Sequence, residues 1–171
     1  MNINEAGLVE PSEELKPELL AMAEECAAEG DERFREVIEN FSGYMRGVER
    51  YEKGIDLPPG HVRNSTFFLV HGERVVGHSA LRHQLNPALE LEGGHIGYTI
   101  RPSARRRGYG TLILALTLER ARSLGLERAL LTCDTDNTAS ARIIESNGGR
   151  LSGQAISQRS GKLISQYWIE L

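Results

Sequence analysis

The chain has 171 residues, 40% of them hydrophobic and 26% charged, with a formal net charge of −4. This is the size and composition of one soluble domain (residues 1–171), able to bury about 70% of its unfolded surface. No apolar run reaches the ~18 residues of a membrane span, no secretory pattern opens the chain, and no basic stripe interleaved with aromatics points to nucleic acid. Cys26 and Cys133 stand far apart in no metal or redox motif. They read as reduced thiols of a cytoplasmic protein.

In chain order, Asn2 to Val9 can form a short first strand. Pro11-Ser12-Glu13-Glu14 opens a helix with acids in its first turn, and Leu15, Leu19, Met22, Ala23, Cys26 and Ala27 follow helical spacing. Gly30-Asp31 ends it. Phe34, Val37, Ile38, Phe41, Met45 and Val48 recur at three- and four-residue steps, so the pattern predicts one amphipathic helix over residues 31–52. Pro58-Pro59-Gly60 marks an exposed loop. Thr66 to Val70 and Arg74 to Leu85 read as a hairpin about His71-Gly72-Glu73. Strand-like Gly94 to Ile100 then leads through a basic turn into a helix from Thr111. Arg128 to Cys133 is a further strand, residues 137–147 a further helix, and Leu151 to Gln158 with Leu163 to Glu170 a second hairpin.

The basic turn, Arg105-Arg106-Arg107-Gly108-Tyr109-Gly110, carries most of the functional information. A strand, a glycine-bearing cationic turn and a helix N-terminus make an anion site, because the first helical N–H groups lack internal acceptors and the dipole favours negative charge. Gly108 and Gly110 should admit a phosphate to the backbone, and the arginines add charge-assisted bonds. Ile113 stands where a dinucleotide fingerprint needs its third glycine, and no Gly-Lys-Ser/Thr ending occurs in the chain. What remains is R-x-x-G-x-G.

That pattern resembles the pyrophosphate loop of the GNAT superfamily of acyl-coenzyme-A-dependent N-acyltransferases. Ile96-Gly97-Tyr98-Thr99-Ile100-Arg101-Pro102 is similar to the family's fourth strand. Asp136-Asn137-Thr138, running to Asn147-Gly148-Gly149, resembles its second cofactor motif. These stretches span about residues 92–150. The resemblance implies an α/β fold, a mixed and mostly antiparallel sheet flanked by helices in the order β-α-α-β-β-β-α-β-α-β-β. It also implies acetyl-CoA as cosubstrate. Its pantetheine arm would lie on the backbone of Tyr98, Thr99, Ile100 and Arg101, and its pyrophosphate on Arg105, Arg106, Arg107, Gly108, Tyr109, Gly110 and Thr111. Asn137 would meet the pantetheine amides, cap a helix, or do both.

Acyl transfer by direct attack in a ternary complex needs a deprotonated amine, and no protein nucleophile. His95 is the candidate base, standing where many family members carry an acid and sharing a strand face with Gly97 and Thr99 by alternation. His78, His83 and Glu92 are weaker candidates. The family's usual Tyr seven residues after the Asn is Ile144 here, so no general acid is assigned. Asp134, Asp136 and Asn137 lack the further oxygen ligands of a calcium loop, and no metal is expected. Residues 1–60 hold 15 acids against 6 bases, and residues 61–171 hold 9 against 14. An acidic N-terminal part would attract a cationic amine, small molecule or peptide, while the basic remainder suits phosphates. A homodimer is left open. The competing readings are a non-catalytic acyl-CoA-binding or sensing module and, more distantly, a nucleotide-binding protein.

Overall fold

The computed structural model describes residues 3–171, which leaves Asn2 of the expected first strand outside it. A 3₁₀ turn, Ile3–Glu5, precedes β1, Gly7–Val9. Helix α1, Lys16–Ala28, has Pro17 in its first turn, where the missing N–H costs nothing. It buries Leu19, Met22, Ala23 and Cys26 against Phe68 and Val75.

The single helix expected over residues 31–52 is broken. A 3₁₀ turn Glu32–Phe34 and the short α2, Arg35–Glu39, stop at Asn40, and α3 runs Phe41–Lys53. Asn40 leaves helical geometry, with φ −153° and ψ 69°, and its Oδ1 accepts the Gly43 N–H at 3.0 Å, a side-chain cap inside a continuous apolar stripe. Strands β2, Asn64–His71, and β3, Arg74–Arg82, form the first hairpin, and an unforeseen short helix α4, Pro87–Leu91, follows them. Then come β4, Ile96–Ile100; α5, Tyr109–Ser123; β5, Arg128–Asp134; α6, Thr138–Ser146; β6, Arg150–Ile156; and β7, Leu163–Glu170.

The fold is the expected α/β arrangement of antiparallel strands flanked by helices, with its strands in two sheets, ordered β1-β2-β3-β4 and β5-β7-β6 and antiparallel throughout. Helix α5 covers one face. Its Ile113, Leu114, Thr117, Leu118 and Ala121 are buried, and Thr117 Oγ1 meets Ser79 Oγ of β3 at 2.8 Å. Helices α1 and α2 cover the opposite face, around Phe34, Phe68 and Val75.

The sheets touch at one point of importance. His95 N–H donates to Leu130 O at 2.7 Å, just ahead of β4. Gly94 makes this approach possible: its φ is +61°, and a Cβ there would collide with the Leu130 carbonyl. Beyond this contact β4 and β5 have no ladder in common among the described residues, so both are free edges facing each other.

Candidate functional site

The phase of the β3–β4 ladder decides what β4 offers. Arg101 N–H donates to Val76 O at 3.0 Å, and Thr99 and Gly97 are the Cα partners of His78 and Ala80. Bonded pairs alternate in an antiparallel ladder, so Gly97, Thr99 and Arg101 turn their polar groups to β3. The N–H groups of Ile96, Tyr98 and Ile100 then point to the open side. Along that side lies a cleft of about 560 Å³, bounded by β4, the N-terminal turn of α5 and α6. Tyr98, Ile100, Arg105, Arg106, Gly108, Tyr109, Gly110, Thr111 and Asn137 all line it, so nine of the twelve expected cofactor residues come together.

The turn is built for this. Arg106 and Gly108 take φ of 61° and 85°, which reverses the chain so that α5 starts at Tyr109 with its axis on the cleft. Leu112 N–H returns to Gly108 O at 3.2 Å, which leaves the N–H groups of 109–111 directed outward. Arg105 is braced by Glu29 at 2.6 Å and by the Ile100 carbonyl at 3.2 Å. At Gly110 a Cβ would sit 2.5 Å from Ile143 Cδ1, so its bare Cα also gives α6 room to pack beside α5.

Asn137 caps α6, its Oδ1 accepting Ser140 N–H at 3.1 Å, while still lining the cleft. Across from it the Tyr98 hydroxyl meets Ser140 Oγ at 2.8 Å. Burial pushes the Tyr98 phenol up to about 12, so it stays protonated at neutral pH. Cys133 is raised by burial and then by Asp134, and Cys26 by burial and then by Asp31, so neither is an activated thiol. Ile144 is buried in the main core.

Tyr98 also lines a second, smaller hollow of about 200 Å³ on the opposite face of β4, with Gly97, Thr99, His78, Arg33, Phe34 and Tyr44. The shared face of Gly97 and Thr99 is as alternation predicts. Ala80 and Arg82 continue this wall into a neighbouring hollow of about 320 Å³, which reaches Asn64 and Arg159. Neither hollow has a carboxylate in its wall. His78 packs its ring 5.2 Å from Phe34 and 5.3 Å from Phe68, and burial, helped by Arg33, lowers it to about 4. A larger hollow of about 630 Å³ lies under α3, lined by Glu10, Glu13, Glu49 and Glu52 among others, and shares no residue with β4. Chemistry, not volume, makes the β4 cavities the candidate site.

About half of the acids in residues 1–60 are engaged in ion pairs. Glu18 and Glu25 hold Arg101, Glu29 holds Arg105, Asp31 holds Arg33, and Glu49 holds Lys53. The hollows beside β4 carry none of these acids in their walls, so the expected recruitment of a cationic amine finds no support there; Glu10, Glu13, Glu49 and Glu52 line the hollow under α3 instead.

His95 departs from its expected role. It is 7% exposed, its ring stands 6.2 Å from Trp168, and its Nδ1 accepts Leu130 N–H at 3.0 Å. Burial, followed by Arg82 and Arg128, lowers it to about 4. A neutral ring that accepts at Nδ1 carries its proton on Nε2, so it has no free lone pair for an amine. Arg101 departs too. Its side chain is 6% exposed, with Nη1 2.8 Å from Glu18, Nε 2.7 Å from Glu25 and a bond to Val75 O at 3.1 Å. The guanidinium ties α1 to the sheet, and its backbone N–H is committed to Val76. Arg107 is exposed and lies outside the cleft walls. Glu92 accepts from Ser157 at 2.9 Å, and His83 pairs with Ser65 at 2.7 Å; neither lines a β4 cavity.

Sequence reasoning missed Ser140 as the partner of Tyr98, and Arg82, Arg159, Asn64 and Tyr44 as walls of the two hollows beside β4. These meet only through sheet register and loop placement, and no local spacing signals them.

A family model described as an acetyltransferase (GNAT) domain matches residues 26–150. No curated protein matches the chain. Among solved structures, the microcin C7 self immunity acetyltransferase MccE, in complex with acetyl-CoA and AMP, is 12% identical with a TM-score of 0.72, the alignment covering 98% of this chain and 93% of that one. RimJ of Mycobacterium smegmatis, in complex with a CoA disulfide, is 17% identical with a TM-score of 0.75, covering 96% and 81%. A chimera of the Vibrio cholerae spermidine N-acetyltransferase is 13% identical with a TM-score of 0.65, covering 97% and 95%. At these identities the likeness is one of fold.

Proposed function

Because the chain belongs to the GNAT acetyltransferase family, we propose that it transfers an acetyl group from acetyl-CoA to a primary amine held with it in one complex. The observation that carries this reading is Tyr98, a residue that lines both the cofactor-sized cleft, where its hydroxyl meets Ser140, and the hollow on the other face of β4. A thioester on the open edge of β4 would be within reach of an amine entering past Gly97 and Thr99. Acetyl-CoA supplies the activated acyl carbon and a thiolate leaving group.

The chain's own residues supply binding, orientation and a proton. The N–H groups of 109–111, with Arg105 and Arg106, fit a pyrophosphate. The outward N–H groups of Tyr98 and Ile100 fit the pantetheine amides and the carbonyl oxygen on which charge builds. The new N–C bond forms as the C–S bond breaks. The amine proton leaves to solvent, and the thiolate takes a proton from the Tyr98–Ser140 hydroxyl pair. No side-chain base is required if the amine binds neutral, and nearby arginines favour that by disfavouring an ammonium. In this reading His95 is a joint between the two sheets. The alternative, a non-catalytic acyl-CoA module, draws on Ile144, which is buried and carries no proton where the family has Tyr.

Thiol release across an amine panel separates the two readings. Tyr98→Phe and Ser140→Ala should each lower kcat by about a hundredfold, the low end of what a positioned acid contributes. Coenzyme A affinity measured by calorimetry should stay within about threefold, under 1 kcal/mol. Unchanged kcat in both variants would remove the hydroxyl pair from the mechanism, and absence of thiol release with every amine would favour the binding module.

A further inference from the structure

Arg82 and Arg159 stand out on the acceptor side. Arg82 is fixed in place, its Nη1 donating to Gly93 O at 3.1 Å and Gly94 O at 2.9 Å. It lines both acceptor-side hollows, and Arg159, from the β6–β7 turn, lines the outer one with it. Among the described residues neither guanidinium has a carboxylate within salt-bridge distance. Their neighbours do: Arg33 is clamped by Asp31 and Arg63 reaches Glu52 at 3.5 Å. Burial of Arg82 and the proximity of Arg159 both lower the Arg82 pKa, which marks two like charges sharing one concave site.

A guanidinium taken from water without a counter-ion is costly, and a second one beside it adds repulsion. An anion between them would relieve both, and the planar fork of arginine matches carboxylate and phosphate alike. Asn64, the Cα partner of Arg82 across the ladder, adds a second signal. It lines the same hollow, and its Oδ1 is buried without a hydrogen-bond partner.

We propose that the acceptor is an amine bearing an anionic group, a carboxylate or a phosphate, which Arg82 and Arg159 bind while the amine reaches Gly97 and Thr99. This deepens the acetyl-transfer reading and rests on it for the identity of the reacting nitrogen. The arrangement also explains how an arginine-lined pocket can attract an amine. The anion provides the attraction, and the positive field keeps the nitrogen unprotonated. Polyamines, which carry only positive charge, are disfavoured.

The test is calorimetry on the protein loaded with coenzyme A, which needs no turnover. The probes are a short peptide amide with a free N-terminal amine and Glu as second residue, the same peptide with Gln, the same with phosphoserine, and spermidine. The Glu or phosphoserine peptide should bind at least about tenfold more tightly than the Gln peptide, the value of one charge-assisted bond. The tighter of the two identifies the anion. Arg159→Gln should erase the preference without changing coenzyme A affinity, and Arg82→Lys, which keeps charge but loses the fork, should weaken it. Equal binding of the Glu, phosphoserine and Gln peptides, tighter binding of spermidine, or a preference that survives Arg159→Gln would overturn the proposal. Preferential binding without thiol release would leave the anion site standing and defeat the transfer reading. Thiol release with spermidine alone would do the reverse.

Discussion

Replacing His95 separates a sheet joint from a catalytic base. In His95→Ala the buried N–H of Leu130 loses its acceptor, a cost of about 1–3 kcal/mol. Loss of the ring beside Trp168 adds about 1–2 kcal/mol, low in the range for large-to-small core changes. The sum, about 2–5 kcal/mol, is a large share of the 5–15 kcal/mol that holds a typical domain together. His95→Asn places an oxygen near the position of Nδ1 and should recover the hydrogen-bond part. Urea unfolding measures both. Trp168 is the only tryptophan in the chain and lies against the His95 ring, so its fluorescence reports the site directly. Protonation of a neighbouring imidazole should quench it with a midpoint near 4, the value to which burial lowers His95. His95→Asn should keep kcat within about threefold of the parent, far from the 10²–10⁴ that a general base contributes. A stable His95→Asn variant with kcat reduced a hundredfold or so, together with an acid limb and fluorescence midpoint near ~6.5, would refute the structural role and restore His95 as the base.

Two further outcomes follow from buried charges. Arg101→Met should cost about 2–4 kcal/mol in urea unfolding, somewhat below the full penalty for breaking a buried pair because Glu18 and Glu25 are each about one-third exposed; coenzyme A affinity should be unchanged, and a lost affinity with intact stability would return Arg101 to the cofactor site. Both His78 and His95 are lowered to about 4 in the fold, so the unfolded chain takes up their protons first. Their stabilisation is complete above the unfolded value near ~6.5 and falls by up to about 1.4 kcal/mol per pH unit for each ring as pH drops towards 4. Urea midpoints that stay flat from pH 7 to pH 5 would contradict the burial of both rings.

Much of the cleft beside β4 was legible in the sequence because its walls are local. Arg105, Gly108 and Tyr109 lie within a single strand–turn–helix, where backbone geometry follows residue type, and Asn137 announces a helix start by the chemistry of its side chain. The β6–β7 hairpin and α1 were readable for the same reason. The break at Asn40 was hidden because the apolar stripe keeps its phase across a cap. The contact that joins the two sheets was hidden because Gly94 declares only a tolerance for positive φ, not the Leu130 carbonyl that needs it. His95 shows the limit most clearly. Strand alternation placed it on the right stretch, but its chemistry is set by an N–H 35 residues away and by Trp168 on another strand. Arg101 leaves the cofactor role its neighbourhood suggests because two acids of α1 neutralise it, and Arg82 meets no acid at all among the described residues. A residue's type and local spacing fix which bonds it can make; which partner it meets, and whether water is excluded there, depends on contacts between distant segments, and those exist only once the sheets and helices have packed.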